Sequence, residues 1–251
     1  MNDPYIVFLD IDGTVYCHGE VPDCNREAIR AAQNAGHKIF INTARSLADL
    51  PEKILNVRWD GIVAGLGCTI VADGQIIRSV RIPQTQVAET FDYLTTYKVP
   101  LMLDGEQILL CNRFYPDPDH AIPVQSGADL LSRYPDHVFN KAFMPVVLFK
   151  RIARELSKQY QLFQHRHYAE FSVKGHNKAT GMQVVLDYYG TDTAHCIAMG
   201  DSINDLDMLR FAGISVAMGD ASEEVRDACG IVTCNADDGG VARALRELLH
   251  L

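Results

Sequence analysis

No stretch of this sequence approaches the ~20 consecutive apolar residues that a membrane-spanning helix needs, so no membrane association is expected. The opening residues, MNDPYIVF, lack a basic segment ahead of a long apolar one, and no secretory leader is expected either. Seven cysteines, at positions 17, 24, 68, 111, 196, 229 and 234, include no Cys-x-x-Cys pair. An odd count without metal-ligand spacing predicts reduced thiols that fill core space in a cytoplasmic protein. No basic run offsets the net charge of −9, which argues against a nucleic-acid binder. There is no internal repeat and no low-complexity tract. The one tryptophan, Trp59, is expected to pack at the start of a strand.

What is present is an ordinary globular balance, 47% hydrophobic and 22% charged over 251 residues. That length fits one large domain or a core with a smaller insert. The charge is uneven. Residues 82–171 hold 10 acids and 9 bases, so the flanks carry nearly all of the net −9. Acidic flanks around a near-neutral middle suit two parts with different tasks, the acidic one fitted to a cation.

The flanks alternate strand and helix. YIVFLD, HKIFIN and DGIVAG read as strands, NREAIRAAQNAG as a helix closed by Gly36, and SLADLPEKIL as one short helix. TIVADGQII reads as a hairpin turning at Asp73-Gly74. After the middle, KATGMQVVLDYYG, NDLDMLRFAG, SEEVRDAC and DGGVARALRELLHL read as helices between the strands HCIAMG, ISVAMG and GIVT. Such alternation predicts an α/β fold with a Rossmann-like parallel sheet covered by helices on both faces. The middle is less regular and reads as an inserted α+β domain. QVAETFDYLTTYK and RIARELSKQY are helical, LMLDGEQILLC is a hairpin, FYPDPDHAIP is loop and FMPVVLFK is a strand. The expected division is a core of residues 1–81 and 172–251 around an insert of residues 82–171.

Chemistry-bearing residues gather where the strands end, the side on which open parallel sheets bind ligands. Asp10 and Asp12 follow the first strand, and Thr43-Ala44-Arg45 follows the second. Lys178 begins a helix, and GDSINDLDML follows HCIAM. Carboxylates with open positions suit Mg²⁺, while a hydroxyl and a lysine suit phosphate oxygens. A carboxylate can also attack phosphorus and form an aspartyl phosphate.

With FLDIDGTV, INTAR, NKATGM and GDSINDLDML in this order, the chain resembles the haloacid dehalogenase-like superfamily. The stretch VAMGDASEEVRDACGIVTCNADDGGVARAL is similar to the Cof-like subclass IIB phosphatases, which carry an α/β cap where this chain has its insert. The resemblance implies an Mg²⁺-dependent phosphatase of a small phosphorylated metabolite, with sugar phosphates the leading class, whose cap closes over the leaving group. It implies that Asp10 is the nucleophile and a metal ligand. Asp12 would be the acid and then the base, its carbonyl also binding metal. Thr43, the Ala44 amide, Lys178 and Asn204 would hold the phosphoryl group. Asp201 would be a metal ligand, and Asp205 would orient the lysine or a metal-bound water.

Plainer readings stand beside these. Asp201 alone reads as a helix N-cap. Lys178 at a helix start opposes the macrodipole, a broken local rule that points to function. Arg45 either contacts substrate or pairs with a nearby acid. His165 and His167 would share a face on a strand and read as surface or cap-interface residues. Arg113, Lys141 or Arg166 would reach an anionic substrate from the insert. The sequence also departs from the family: Ala44 replaces a usual glycine, Gly65–Cys68 a usual Asn-Gly-Ala, and Asp220 a usual asparagine. Two rivals share the ground: a phosphotransferase or mutase with the same nucleophile, and a non-catalytic metabolite-binding regulator. A monomer or weak homodimer is expected.

Overall fold

The computed structural model describes residues 4–117 and 119–251. In chain order the first elements are β1 (Ile6–Leu9), α1 (Asp23–Asn34), β2 (Lys38–Asn42), α2 (Glu52–Leu55), β3 (Gly61–Ala64), β4 (Thr69–Ala72) and β5 (Gln75–Ser79). Then come α3 (Gln84–Thr96), β6 (Met102–Gly105), β7 (Leu109–Cys111), β8 (Ile122–Pro123), α4 (Gly127–Arg133), β9 (Phe139–Pro145), α5 (Val146–Leu156), β10 (Gln161–Gln164) and β11 (Tyr168–Ser172). The last are α6 (Lys178–Tyr189), β12 (Cys196–Gly200), α7 (Leu206–Phe211), β13 (Ile214–Ala217), α8 (Glu223–Ala228), β14 (Ile231–Val232) and α9 (Gly240–Leu249). The chain divides into two compact units. One runs through Ala44, Leu50–Arg78 and Asn177–Leu251, the other takes Arg45–Asp49 and Ser79–His176.

The first unit is built on a sheet ordered β14-β13-β12-β1-β2-β3-β4-β5. All pairs from β14 to β3 are parallel, and β4 runs antiparallel to β3. Every residue of β1, and nearly every residue of β2 and β12, is buried. Strands buried on both faces read as continuous apolar runs, which is why IVFL and KIFIN show no polar alternation. The β4–β5 turn uses Asp73 and Gly74, both at positive φ (48° and 77°), as type I′ chemistry requires. Helix α1 gives way to Gly36 at φ 97°, and α6 ends on Gly190 in the left-handed region.

Two expected helices come out shorter. SLADLPEKIL is a 3-10 turn at Leu47–Asp49 followed by α2, with Pro51 as the extended N-cap between them. Proline disfavours the α conformation in the residue before it, so Leu50 interrupts the helix. NDLDMLRFAG likewise begins as a 3-10 turn, Ile203–Asp205, before α7. Trp59 is half-buried and donates from Nε1 to the Ile54 carbonyl (2.8 Å). Of the cysteines expected to fill core, Cys68, Cys111 and Cys196 are buried, whereas Cys17, Cys24, Cys229 and Cys234 are only half-buried.

The second unit carries a sheet ordered β10-β11-β9-β6-β7-β8, antiparallel except between β7 and β8. One face, with Leu103, Ala142 and Phe171, packs on Phe91 of α3 and Phe149 and Ile152 of α5. The strand expected over FMPVVLFK ends at Pro145, and VVLFK opens α5. Helical spacing of Phe149, Ile152 and Leu156 onto the sheet decides this. HRH is not a strand but the turn between β10 and β11. His165 stacks on Tyr168 (4.2 Å between centroids) and lies 3.2 Å from Glu170 Oε2, while His167 is exposed.

Lys141, one of the three insert cations expected to reach an anionic substrate, is buried and paired. It is buried beside Asp104 Oδ2 (3.1 Å), its cross-strand neighbour, and Glu170 Oε1 (2.6 Å). Burial would lower the lysine's pKa, but the two carboxylates outweigh it and hold the charge. Glu170 sits at about 2, because Lys141 and His165 overcome its burial. Asp104 is raised to about 6, because burial there outweighs the same lysine. The Glu170 contribution to stability is present above its unfolded value and fades as pH falls towards 2; that of Asp104 fades as pH rises through about 6. Replacing Lys141 by methionine leaves both carboxylates without their buried partner. The expected loss at neutral pH is about 3–5 kcal/mol in urea unfolding, and a loss below 1 kcal/mol contradicts this account.

Candidate active site

Strand β1 ends at Leu9, and the chain turns sharply within the next five residues. The Asp10 amide still pairs with the Met199 carbonyl of β12 (3.0 Å), while Thr14 and Tyr16 amides fold back onto the Ile11 carbonyl (3.2 and 2.9 Å). The turn needs Gly13, at φ 84°. A Cβ there would stand 2.6 Å from Asp201 Oδ2, so glycine lets two chain segments meet. Asp10 is 6% exposed, whereas the Asp12 side chain is exposed.

Lys178 opens α6 and is fully buried. Its Nζ donates to Asp10 Oδ1 and Asp205 Oδ1, each at 2.5 Å. The helix start is fixed locally by a capping box in which Asn177 Oδ1 accepts from the Thr180 amide (2.8 Å) and Thr180 Oγ1 accepts from the Asn177 amide (3.0 Å). The loop after β3 presses on it. A Cβ at Gly67 would stand 2.3 Å from the Asn177 carbonyl, and one at Gly181 3.0 Å from Gly67 Cα. The Gly65–Cys68 stretch therefore lets backbone meet backbone at the first turn of α6.

The loop after β12 supplies the remaining acids. Asp205 Oδ2 accepts from the Asp201 and Ser202 amides (3.1 and 3.0 Å), so both Asp205 oxygens are occupied. Ser202, not Asp201, takes the N-cap position of the 3-10 turn. The Asp201 side chain instead accepts from Thr14 Oγ1 at Oδ1 (3.1 Å). Ser202 Oγ donates to Asn204 Oδ1 (2.6 Å), which leaves the Asn204 NH₂ as its donating end. Thr43 is buried where β2 ends, its amide bound to the Val63 carbonyl (2.8 Å) and its carbonyl to the Leu66 amide (3.2 Å). Ala44 follows, half-buried. Arg45 belongs to the second unit, where Nη1 meets the Asp49 carboxylate (3.2 Å) and carbonyl (3.1 Å), the nearby-acid alternative. Asp220 is exposed and accepts from the Ala236 amide (3.4 Å).

Asp10, Asp201 and Asp205 each bring a carboxylate oxygen within 4.8 Å of the other two. Burial, Asp205 and Asp201 push the Asp10 carboxyl well above the usual carboxylate range, with Lys178 opposing. Burial and Asp205 raise Asp201 to about 6. Burial would lower Lys178, but Asp10 and Asp205 overcome it and keep the ammonium charged. One buried lysine thus faces three acids, an excess of negative charge that a divalent cation would relieve. The donor set is all oxygen, which suits a hard cation. Asp205 already accepts at both oxygens, so Asp10 and Asp201 present the freer carboxylates to a cation. Sequence reasoning did not single out Thr14, Ser202 or Asn42. The last is fully buried and donates from Nδ2 to the Lys178 carbonyl (3.3 Å).

A parallel sheet with acids and a buried lysine beyond the carboxyl ends of its strands is the arrangement of an α/β enzyme core. The haloacid dehalogenase-like hydrolase profile matches residues 7–245, and the chain belongs to that family, in its phosphatase branch. YkrA of Bacillus subtilis (strain 168) is 27% identical over 258 residues, covering 98% of this chain and 98% of YkrA. BT1666 of Bacteroides thetaiotaomicron, one of the phosphatases of the superfamily, is 27% identical and superposes with a TM-score of 0.84 over 99% of this chain and 96% of its own. The subclass IIB sugar phosphatase BT4131 shares the fold, with a TM-score of 0.82 at 24% identity, over 98% of this chain and 100% of its own.

Asp10 and Asp201 both have folded-state pKa values above the unfolded ones. Their contribution to stability is present in acid and is lost as pH rises through about 6. A cation bound only by the folded chain offsets that loss. Thermal unfolding in EDTA and in Mg²⁺ should show a Mg²⁺-induced rise in Tm that is small at pH 5 and larger at pH 7.5. A rise of equal size at both pH values would count against cation binding at these acids.

Proposed function

We propose that this chain is a Mg²⁺-dependent phosphatase of small phosphorylated metabolites, sugar phosphates foremost, working through an aspartyl phosphate. The observation that carries the reading is Lys178, buried between Asp10 and Asp205 with Asp201 beside them. Lys178 holds and orients Asp10, whose carboxylate attacks phosphorus. The new O–P bond forms as the bond to the substrate's leaving oxygen breaks, and Asp12 gives that oxygen a proton. Asp12 then takes a proton from a water that attacks the phosphoenzyme, releasing inorganic phosphate and restoring the Asp10 carboxylate. Thr43, the Ala44 amide, Lys178 and the Asn204 amide would hold the phosphoryl oxygens. When bound by Asp10 and Asp201, with the Asp12 carbonyl, Mg²⁺ supplies positive charge against the phosphoryl group. Asp205 keeps Lys178 charged and aimed.

The metabolite class is supported by the charge, which opposes polyanionic nucleic acid, and by the fold shared with a sugar phosphatase. We read the first unit as the catalytic core and the second as a type IIB cap. Among the described residues no helix is long and apolar enough to cross a membrane. Seven free cysteines fit a reducing, cytoplasmic setting.

Phosphate release from a panel of sugar phosphates, nucleotides and an aryl phosphate tests the reading. Release should require Mg²⁺, and Asp10→Asn should lower it roughly a thousandfold or more. Activity indifferent to Asp10→Asn sinks the mechanism. Transfer of phosphate to an added alcohol or sugar in place of water would favour the phosphotransferase.

A further inference from the structure

We propose that Asn42 is a positioning residue for catalysis, acting through Lys178; the inference rests on the phosphatase reading above. Asn42 is the last residue of β2 and is fully buried, in a strand whose preceding residues are Ile39, Phe40 and Ile41. A primary amide there is costly to desolvate. Its Nδ2 donates to the Lys178 carbonyl (3.3 Å), 136 residues away in sequence. Its Oδ1 is buried and has no hydrogen-bond partner among the described residues. An aliphatic side chain of similar size would fill the space and bring no orphaned acceptor. A buried polar group that the fold would do better without points to function.

The hydrogen bond lands on the residue that carries the ammonium. Two other devices hold the start of α6: the Asn177–Thr180 capping box, and the close approach of Gly67 to Asn177 and Gly181. Both act on residues beside Lys178. Asn42 alone of the three reaches the Lys178 backbone itself, and it ties it to the strand end that leads into Thr43. Nζ stands at the end of a long flexible stem and must meet Asp10 Oδ1 and Asp205 Oδ1 together. A rotation of about 10° at the helix start would swing that nitrogen by about 1 Å, and misplacements of that size cost up to roughly a hundredfold in rate. The amide thus couples the β2 strand end to the lysine across the sheet edge.

Asn42→Leu removes donor and orphaned acceptor together while keeping the volume. The expected result is a Tm equal to or above wild type and a Mg²⁺ dissociation constant, read by calorimetry, within twofold. KM should stay within about threefold while kcat falls tenfold to a hundredfold. If the leucine variant does not fold, Asn42→Ala is measured instead and the same split is expected. In either folded variant, a kcat within twofold of wild type overturns the proposal, and so does a loss that appears in KM with kcat intact. A wild type that releases no phosphate from any substrate fails the phosphatase reading instead, and separates the two failures.

Discussion

A charged lysine with no exposure to solvent survives only if its surroundings repay the lost hydration. In this chain the repayment comes from Asp10 and Asp205, each 2.5 Å from Nζ. The demands of that contact spread outward. Asp205 can face the lysine because its other oxygen is taken by two backbone amides of its own loop. The loop can come so near the end of β1 because Gly13 has no side chain, and it can fold so tightly because Gly200 has none: a Cβ at either would meet Asp201 or Asp205 within 2.8 Å. Helix α6 can present Lys178 at the sheet edge because two more glycines, Gly67 and Gly181, let backbones touch.

Both units contain a buried lysine held by two carboxylates, and the comparison is instructive. In the second unit Lys141 joins Asp104 and Glu170, and His165 lies against Glu170 as a further partner. In the first unit Lys178 faces Asp10 and Asp205 while Asp201 adds a further negative charge. Burial first, and then the neighbouring carboxylates, raise the Asp10 and Asp201 carboxyls. One arrangement closes on itself as structure; the other is left short of positive charge, as a site that recruits a cation should be.

The parallel sheet was legible because its strands are continuous apolar runs and each acid stands where such a run stops. Asp10 and Lys178 stand out by residue type and order, whereas Asp201 and Asp205 are named through the family resemblance. What escaped the sequence depends on pairings across more than a hundred residues. Thr14 donates to Asp201, 187 residues on, and Asn42 donates to Lys178; no local pattern signals either. The strand expected over VVLFK failed for a different reason. A short apolar run with β-branched residues fits either strand or helix, and only packing of Phe149 and Ile152 on the second sheet decides it. Lys141 reads as a cation for the substrate because sequence does not show that two acids stand beside it.

Strand β1 lies between β2 and β12, and so between the opening of the chain and its final quarter. During synthesis β1 acquires one neighbour early and waits for more than 150 further residues before the other is made. Until then IVFL presents an apolar edge with unpaired amides and carbonyls, the kind of surface that joins other chains. The same arrangement ties activity to completion. Asp10 has neither Lys178 nor Asp201 until the later part of the chain is in place, so a half-folded chain holds Asp10 without its lysine. Chemistry begins only after the order of the sheet is finished, and an assay of turnover reports on the assembly of both ends of the chain.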